Sequence, residues 1–239
     1  MNDAIKTLKS WVESSDNIVF FGGAGVSTES GIPDFRSVDG LYHQTYKYPP
    51  ETILSHTFFL RHTADFYDFY RDKMLPKGVQ PNTAHLTLAR LEDAGKLRAV
   101  VTQNIDGLHQ AAGSKNVLEL HGSTHRNFCM RCHRFYSAEY IENSSGVPKC
   151  ECGGTIRPDV VLYGENLPSG VLSRAVQAIE KADMLIVGGT SLVVYPAAGL
   201  IDYYSGDRLV LVNRDPTPRD GRANLIFRDP IGQLFSTLP

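Results

Sequence analysis

Short, almost wholly apolar runs recur along the chain, separated by segments whose apolar positions return every three or four residues. The runs are Ile18–Phe21, Ala99–Thr102, Val117–Leu120, Val160–Leu162, Met184–Val187, Leu209–Val212 and Leu225–Phe227. Apolarity without alternation predicts strands covered on both faces, as in a parallel sheet. Between them, Thr83–Ala94 aligns Ala84, Leu88 and Leu91 on one helical face, and Val171–Ala182 aligns Leu172, Ala175, Val176 and Ile179. Near the N-terminus, Ile5, Leu8, Trp11 and Val12 mark an amphipathic helix. Strand and helix patterns in alternation predict an α/β fold with a doubly wound parallel sheet.

Two stretches interrupt the alternation. Residues 39–83 are rich in Tyr, Phe and His, with helical fragments such as Ala64–Met74, and residues 126–156 hold all four cysteines. The expected division is a main domain of residues 1–38, 84–125 and 157–239, with the two insertions forming a smaller module. A chain of 239 residues can bury one substantial core with such an appendage. A formal net charge of −2 gives no broad footprint for nucleic acid or an anionic membrane, so neither is expected as a partner. No apolar run approaches the roughly 20 residues that span a bilayer, and the N-terminal stretch lacks the pattern of a secretory signal. The expected compartment is therefore the reducing cytoplasm, which disfavours disulfides.

Cysteine spacing points to metal instead. Cys129-x₂-Cys132, then 17 residues, then Cys150-x-Cys152 nearly matches the two-knuckle pattern of a structural zinc site. The second knuckle is one residue short. Side chains two apart on an extended chain face opposite ways, so both sulfurs reach one ion only if the backbone turns at Glu151. Gly153-Gly154 makes that turn feasible. Four thiolates would leave the ion no open position, which makes it structural. Four reduced, buried cysteines, or three completed by His133 or His125, are the alternatives.

The segment Ile18–Arg36 begins as a buried strand and turns through Gly22, Gly23 and Gly25. Small residues at such a turn let backbone N–H groups approach a phosphate. The G-x-G-x-x-G fingerprint is absent as such, and a tight strand-to-helix turn without a ligand would look similar. Ser27 and Thr28 suit the cap of a short helix. Phe35 and Arg36 follow, either covering a bound cofactor or serving as a core residue and a surface ion pair.

Further motifs follow in order: Thr102-Gln103-Asn104-Ile105-Asp106-Gly107-Leu108-His109, Leu120-His121-Gly122, the cysteines, Gly188-Gly189-Thr190-Ser191-Leu192-Val193-Val194-Tyr195-Pro196, and Val212-Asn213. With Gly23–Arg36, this series closely resembles the sirtuin family and spans nearly the whole chain. The resemblance implies a large Rossmann-like domain beside a small zinc-and-helix module, with acyl-lysine entering the cleft between them. It implies an NAD-dependent protein-lysine deacetylase acting on acetyl-lysine proteins or peptides. Lysine, nicotinamide and O-acetyl-ADP-ribose would be the products. Its compact length suggests a bacterial or archaeal enzyme. Transfer of ADP-ribose to protein, or removal of other acyl groups, is the alternative.

Residue roles follow from the same resemblance. Gly23, Ala24, Gly25, Thr28 and Arg36 would hold the NAD phosphates and neighbouring ribose, and Phe35 would shield the reactive centre. Gln103 and Asn104 would order the ribose hydroxyls, while Ile105 and Asp106 bind the nicotinamide carboxamide. Gly189, Thr190, Ser191 and Asn213 would take the adenosine half. His121, with Asn104, would be catalytic, its imidazole acting as general base on the ribose hydroxyls. A lone His in a Leu-His-Gly turn is otherwise structural, and Asp106 is otherwise a helix N-cap. His85 and His109 read as structural or helix-surface residues.

Peptide would add as a strand between Val160–Asn166, including Val161, Leu162, Gly164 and Glu165, and Leu192–Tyr195, including Val193. Phe35, Val160 and Leu162 would line the channel for the neutral acyl-lysine. Family members that prefer succinyl or malonyl groups carry a Tyr and, three residues on, an Arg. Here Tyr67 fits but Tyr70 stands in the Arg position, unless the register slips to Arg71. Without that arginine a buried acyl carboxylate lacks a charge partner, which predicts deacetylation over desuccinylation. The short second knuckle departs from the common family spacing.

Overall fold

The computed structural model describes residues 3–34, 46–75 and 77–239. Its strands are β1 Ile18–Gly22, β2 Leu97–Thr102, β3 Val117–Glu119, β4 Gly122–Cys129, β5 Phe135–Tyr136, β6 Ile156–Val160, β7 Met184–Gly188, β8 Leu209–Val212 and β9 Leu225–Phe227. The helices are α1 Asp3–Ser14, α2 Pro50–Ile53, α3 His56–Arg61, α4 Thr63–Phe69, α5 Thr83–Asp93, α6 Leu108–Ala111, α7 Ala138–Glu142, α8 Ser169–Lys181 and α9 Ile231–Phe235. Among the described residues, no helix is long and apolar enough to cross a membrane.

Six strands make one parallel sheet in the order β3-β2-β1-β7-β8-β9. The period-two geometry of a strand splits its apolar runs between two cores. Ile18, Phe20, Val100, Met184, Ile186 and Val210 face α1, α5 and α9. Val19, Phe21, Ala99, Val101, Leu185 and Leu209 face α8 and the 3₁₀ segment Ala197–Tyr203. The central strands β1, β7 and β8 are buried along their whole length, so neither of their faces meets water, whereas β2 exposes Arg98 and the edge strand β9 exposes Ile226.

The remaining strands form an antiparallel sheet ordered β5-β4-β6. A third core joins it to the helical segment, with Phe59, Phe66, Tyr67 and Tyr70 packed among Cys129, Cys150, Ile156, Val160 and Leu162. Helix α4 continues into a π-helical turn, Tyr70–Met74.

One strand lies earlier than its apolar run predicts. The ladder runs over Ile156–Val160, and Val161-Leu162 continues beyond it. Ile156, Pro158 and Val160 are buried while Arg157 and Asp159 are half-buried, so the strand alternates. Pro158 pairs with Asn127 where the register of β4 shifts, and such irregularities tolerate a residue with no N–H. The apolar triplet therefore marks the end of the strand and the exit from it.

Leu185 lies at the centre of the parallel sheet and is fully buried. Leu185→Ala should lower the unfolding free energy by about 2–5 kcal/mol, seen as a lower urea midpoint at unchanged slope. A loss below about 1 kcal/mol would contradict the two-sided core.

Candidate active site

Strand order reverses between β1 and β7. β1 leads outward to β2 and β3, and β7 leads the other way to β8 and β9. In open α/β sheets the crevice at the carboxyl ends of such a pair is where ligands bind. The loops there are Gly23–Ser30 and Gly189–Tyr195, and they touch backbone to backbone. Gly23 N–H donates to Gly188 O (3.2 Å) and Gly25 N–H to Gly189 O (2.8 Å). A Cβ on Gly25 would lie 2.8 Å from Gly189 Cα, and one on Gly189, at φ +59°, would lie 2.3 Å from Val26 N. These N–H groups thus bind the two loops together, and Ala24 N–H stands outside that ladder. Thr28, exposed, donates its hydroxyl to Gly25 O at 3.0 Å.

The loop after β2 completes the crevice. Gln103 N–H donates to Gly22 O, and Gln103 Nε2 to Thr190 Oγ1 at 3.0 Å, tying the three loops to one another. Asn104 and Asp106 are buried and meet through Ser27. Asn104 Nδ2 donates to Ser27 Oγ (3.0 Å), and Ser27 Oγ–H donates to Asp106 Oδ2 (2.7 Å). The other oxygen of Asp106 accepts from Leu108 N–H at 2.9 Å, so Asp106 also caps α6. Ser27 spends its hydroxyl here and not as a helix cap. The Ile105 carbonyl accepts from Thr124 N–H and from its hydroxyl, each at 3.0 Å. His125 Nε2 donates to Asp106 O at 2.9 Å and lies over Gly107, where a Cβ would fall 2.7 Å from its ring.

His121 enters from the turn between β3 and β4. Its Nδ1 lies 2.9 Å from Gln103 O. A carbonyl only accepts, so Nδ1 carries the proton and Nε2 keeps a free lone pair. Burial pulls the imidazole below its ordinary pKa, with the Gln103 bond opposing, so the ring is neutral at neutral pH.

The anticipated adenosine-side residues end β7 and β8. Thr190 is buried, Ser191 exposed, and Asn213 half-buried with Nδ2 donating to Asp215 O at 2.8 Å. On the opposite flank Val160 and Leu162 are buried, Val161 is half-buried and donates its N–H to His121 O (3.0 Å), and Gly164 and Asn166 are exposed. Glu165 is half-buried and Val193 is 47% exposed. Tyr67 is buried and donates its hydroxyl to Ile156 O, and Tyr70 beside it is buried too. Arg71 spends its guanidinium on Ser144, Asp68 and the Gly146 carbonyl. Phe35 and Arg36 lie outside the described residues.

The four cysteine sulfurs lie within 4.8 Å of one another, and among the described residues they form the group suited to an ion. Cys129 Sγ is 3.5 Å from Cys152 Sγ, and Cys132 Sγ is 3.5 Å from Cys150 Sγ. Tetrahedral zinc with ~2.3 Å bonds sets its sulfurs ~3.8 Å apart, so the cluster fits. The short knuckle closes through a turn, with Gly153 N–H donating to Cys150 O (2.8 Å) and Cys150 N–H to Gly154 O (2.9 Å). A Cβ on Gly154 would sit 2.6 Å from Cys129 Sγ. His125, already bound to Asp106 O, is not part of the cluster, nor is His133.

The Sir2 family model matches residues 23–196. The chain belongs to the Sir2 family. It is 58% identical over 240 residues to an NAD-dependent protein deacetylase of Clostridium acetobutylicum, covering 99% of this chain and 98% of that protein. It is 43% identical over 241 residues to one from Staphylococcus aureus, covering 100% and 99%. Among solved structures, one of Sir2 with p53 peptide and NAD⁺ matches at a TM-score of 0.86 and 41% identity, covering 99% of this chain and 96% of that one. Another, Sir2 bound to acetylated peptide, gives 0.87 and 40%, again covering 99% and 96%.

Reading residues alone missed several partners in this Sir2 site: the Ser27 bridge, Thr124 beneath Ile105 and His125 beneath Asp106. Ser27 is far from Asn104 and Asp106 in sequence, and no spacing rule links them. His85 and His109 are also deeper than a helix surface. Both are buried, their rings 4.7 Å apart, with His109 against Phe20. Asn82 N–H donates to His85 Nδ1 at 3.3 Å, whereas His85 Nε2 and both His109 nitrogens make no hydrogen bond to protein.

Burial lowers His85 to about 4, against the opposing Asp106 charge, and burial followed by His85 lowers His109 to about 3. Unfolded, both protonate near ~6.5, so between there and their folded values the unfolded chain binds more protons. Their contribution is complete above ~6.5 and is lost progressively as pH falls towards about 4 and about 3. Thermal unfolding between pH 7 and 5 should show His109→Leu with a shallower acid limb than the parent. Equal slopes would contradict this.

Proposed function

We propose that this chain is an NAD-dependent protein-lysine deacetylase that moves the acetyl group to ADP-ribose, and that His121 is its general base. The observation that carries the reading is the His121 Nδ1–Gln103 carbonyl bond, which leaves Nε2 unprotonated at a crevice suited to a dinucleotide. Bound NAD supplies an electrophilic ribose carbon once nicotinamide departs. The chain's own part is to hold the reactants and move one proton. His121 Nε2 takes it from a ribose hydroxyl, and the lowered imidazole pKa keeps that nitrogen available at neutral pH.

In this reading Gln103 and Asn104 order the ribose, and Ile105 and Asp106 receive the carboxamide. The Ser27 bridge fixes the Asn104 and Asp106 side chains before ligand arrives. Gly23, Ala24, Gly25, Thr28 and Arg36 hold the phosphates, and Gly189, Thr190, Ser191 and Asn213 the adenosine half. Phe35, Val160, Val161 and Leu162 enclose the acyl-lysine. Gly164, Glu165, Asn166 and Val193 flank the peptide backbone, so recognition leans on main-chain bonds. Zinc on Cys129, Cys132, Cys150 and Cys152 is structural, since four thiolates leave no position for substrate. Residues 39–83 and 126–156 form the small module, and the enzyme works in the cytoplasm.

Acyl preference follows from Tyr67, Tyr70 and Arg71. Tyr67 has committed its hydroxyl to Ile156, Arg71 has turned to Ser144 and Gly146, and Tyr70 offers only a neutral phenol. Among these three residues, none leaves a succinyl carboxylate a cation to pair with.

Mass spectrometry of acetyl-lysine and succinyl-lysine peptides with and without NAD tests both claims. Expected is NAD-dependent loss of acetyl at least about tenfold faster than of succinyl, and its abolition in His121→Ala. Tyr70→Arg should narrow the ratio. Equal rates would contradict the acyl argument, and ADP-ribose appearing on protein with both acyl groups intact would contradict the reaction.

A further inference from the structure

Glu165 is the hub of a polar cluster that joins the helical segment to the flank of the cleft. Its Oε1 lies 2.5 Å from His56 Nδ1, and Arg157 Nη2 reaches Oε1 at 2.6 Å and Oε2 at 2.5 Å. Leu162 N–H donates to Oε2 at 2.9 Å. Burial works against the charge on Glu165, but the Leu162, His56 and Arg157 hydrogen bonds and the Arg157 charge prevail and hold it below the usual carboxylate range. The carboxylate accepts at every one of these bonds, so His56 Nδ1 carries a proton. Arg157 is braced in turn by the Phe59 ring of α3, 5.7 Å away.

The backbone beneath this cluster is a tight turn. Glu165 N–H donates to Leu162 O at 3.0 Å, with Gly164 at φ +88°. Tyr163 N–H donates to Leu54 O (2.9 Å), and His56 N–H donates to Tyr163 O (3.0 Å). One end of the turn hangs on His121 O through Val161 N–H. Its second residue, Tyr163, is fastened to the start of α3. The Glu165 carboxylate closes the loop between them by capping the Leu162 N–H.

We propose that His56, Arg157 and Glu165 form a clamp that sets the shape of the Leu162–Glu165 turn, so that α3 governs peptide affinity without touching peptide. This rests on the reading that the segment from Val160 to Asn166 receives the peptide. His56 and Arg157 are positioning residues. His56 is the informative one, because its side chain is 44% exposed and can be cut back with little loss of core.

Steady-state kinetics of the full-length, zinc-loaded chain with an acetyl-lysine peptide tests the clamp. His56→Ala should raise the peptide KM about five- to tenfold, the worth of a hydrogen bond to a charged group in a half-open site, with NAD KM and kcat within about twofold. His56→Asn, which returns an N–H at the Nδ1 position, should restore most of it. In a Glu165→Ala background, which removes the acceptor of the His56 Nδ1–H, His56→Ala should add nothing further. A third variant, Gly164→Pro, breaks the turn directly because proline cannot adopt φ +88°. A raised peptide KM in Gly164→Pro with an unmoved one in His56→Ala overturns the clamp alone. An unmoved KM in both overturns the peptide assignment beneath it as well. NAD KM and kcat changing in step with peptide KM in His56→Ala would reduce the cluster to a structural role and also overturn the clamp.

Discussion

A single bond fixes the chemistry of His121: its Nδ1–H donates to the carbonyl of Gln103. The acceptor has no choice of role, so the tautomer is decided by the backbone and not by the solvent. That backbone is in turn placed by the sheet, because Gln103 follows directly from β2 and donates its own N–H to Gly22 O at the end of β1. Displacing the Gln103 peptide would free the ring to take either tautomer. The strand order supplies the crevice, and the β2 loop supplies the orientation within it.

The cost of this arrangement is a set of buried polar groups that must all be matched. Asn104, Asp106 and Ser27 satisfy one another, and Thr124 and His125 take up the Ile105 and Asp106 carbonyls. Any one of them removed would leave a buried partner exposed to the full desolvation penalty, about 1–3 kcal/mol. Backbone contact between Gly25 and Gly189 holds the loops near enough for these bonds to form, which is why neither position has room for a Cβ. His85 and His109 pack against each other with three of their four ring nitrogens unpaired, so that part of the interior is stable only while the rings stay neutral.

The parallel sheet was legible because its strands are apolar on both faces, and runs such as Met184–Val187 admit little else. The antiparallel sheet was not. Gly122–Cys129 is polar at Ser123, Thr124, His125, Arg126 and Asn127, and its inward polar groups find partners only in the folded chain. Ile156–Val160 hides its alternation behind Pro158 and two charged residues, so the apolar triplet Val160–Leu162 marks only the end of the strand. At the site, the motifs at Gly23, Gln103, His121 and Gly189 stood out in sequence because each is a compact string. The connections between strings, such as Ser27 to Asp106 or His56 to Glu165, depend on topology and have no local signature. The cysteine knuckles sit between these cases: their spacing announced a metal site, but only the turn through Gly153 explains how a one-residue gap aims two sulfurs at one point.

The central claim is the protonation state of one ring. Long-range ¹⁵N–¹H correlation on histidine-labelled protein at pH 7 reads it directly, with His121→Ala assigning the signals. The account predicts a neutral His121 with the proton on Nδ1 and a bare Nε2. A neutral ring protonated at Nε2, or an imidazolium at that pH, would contradict it.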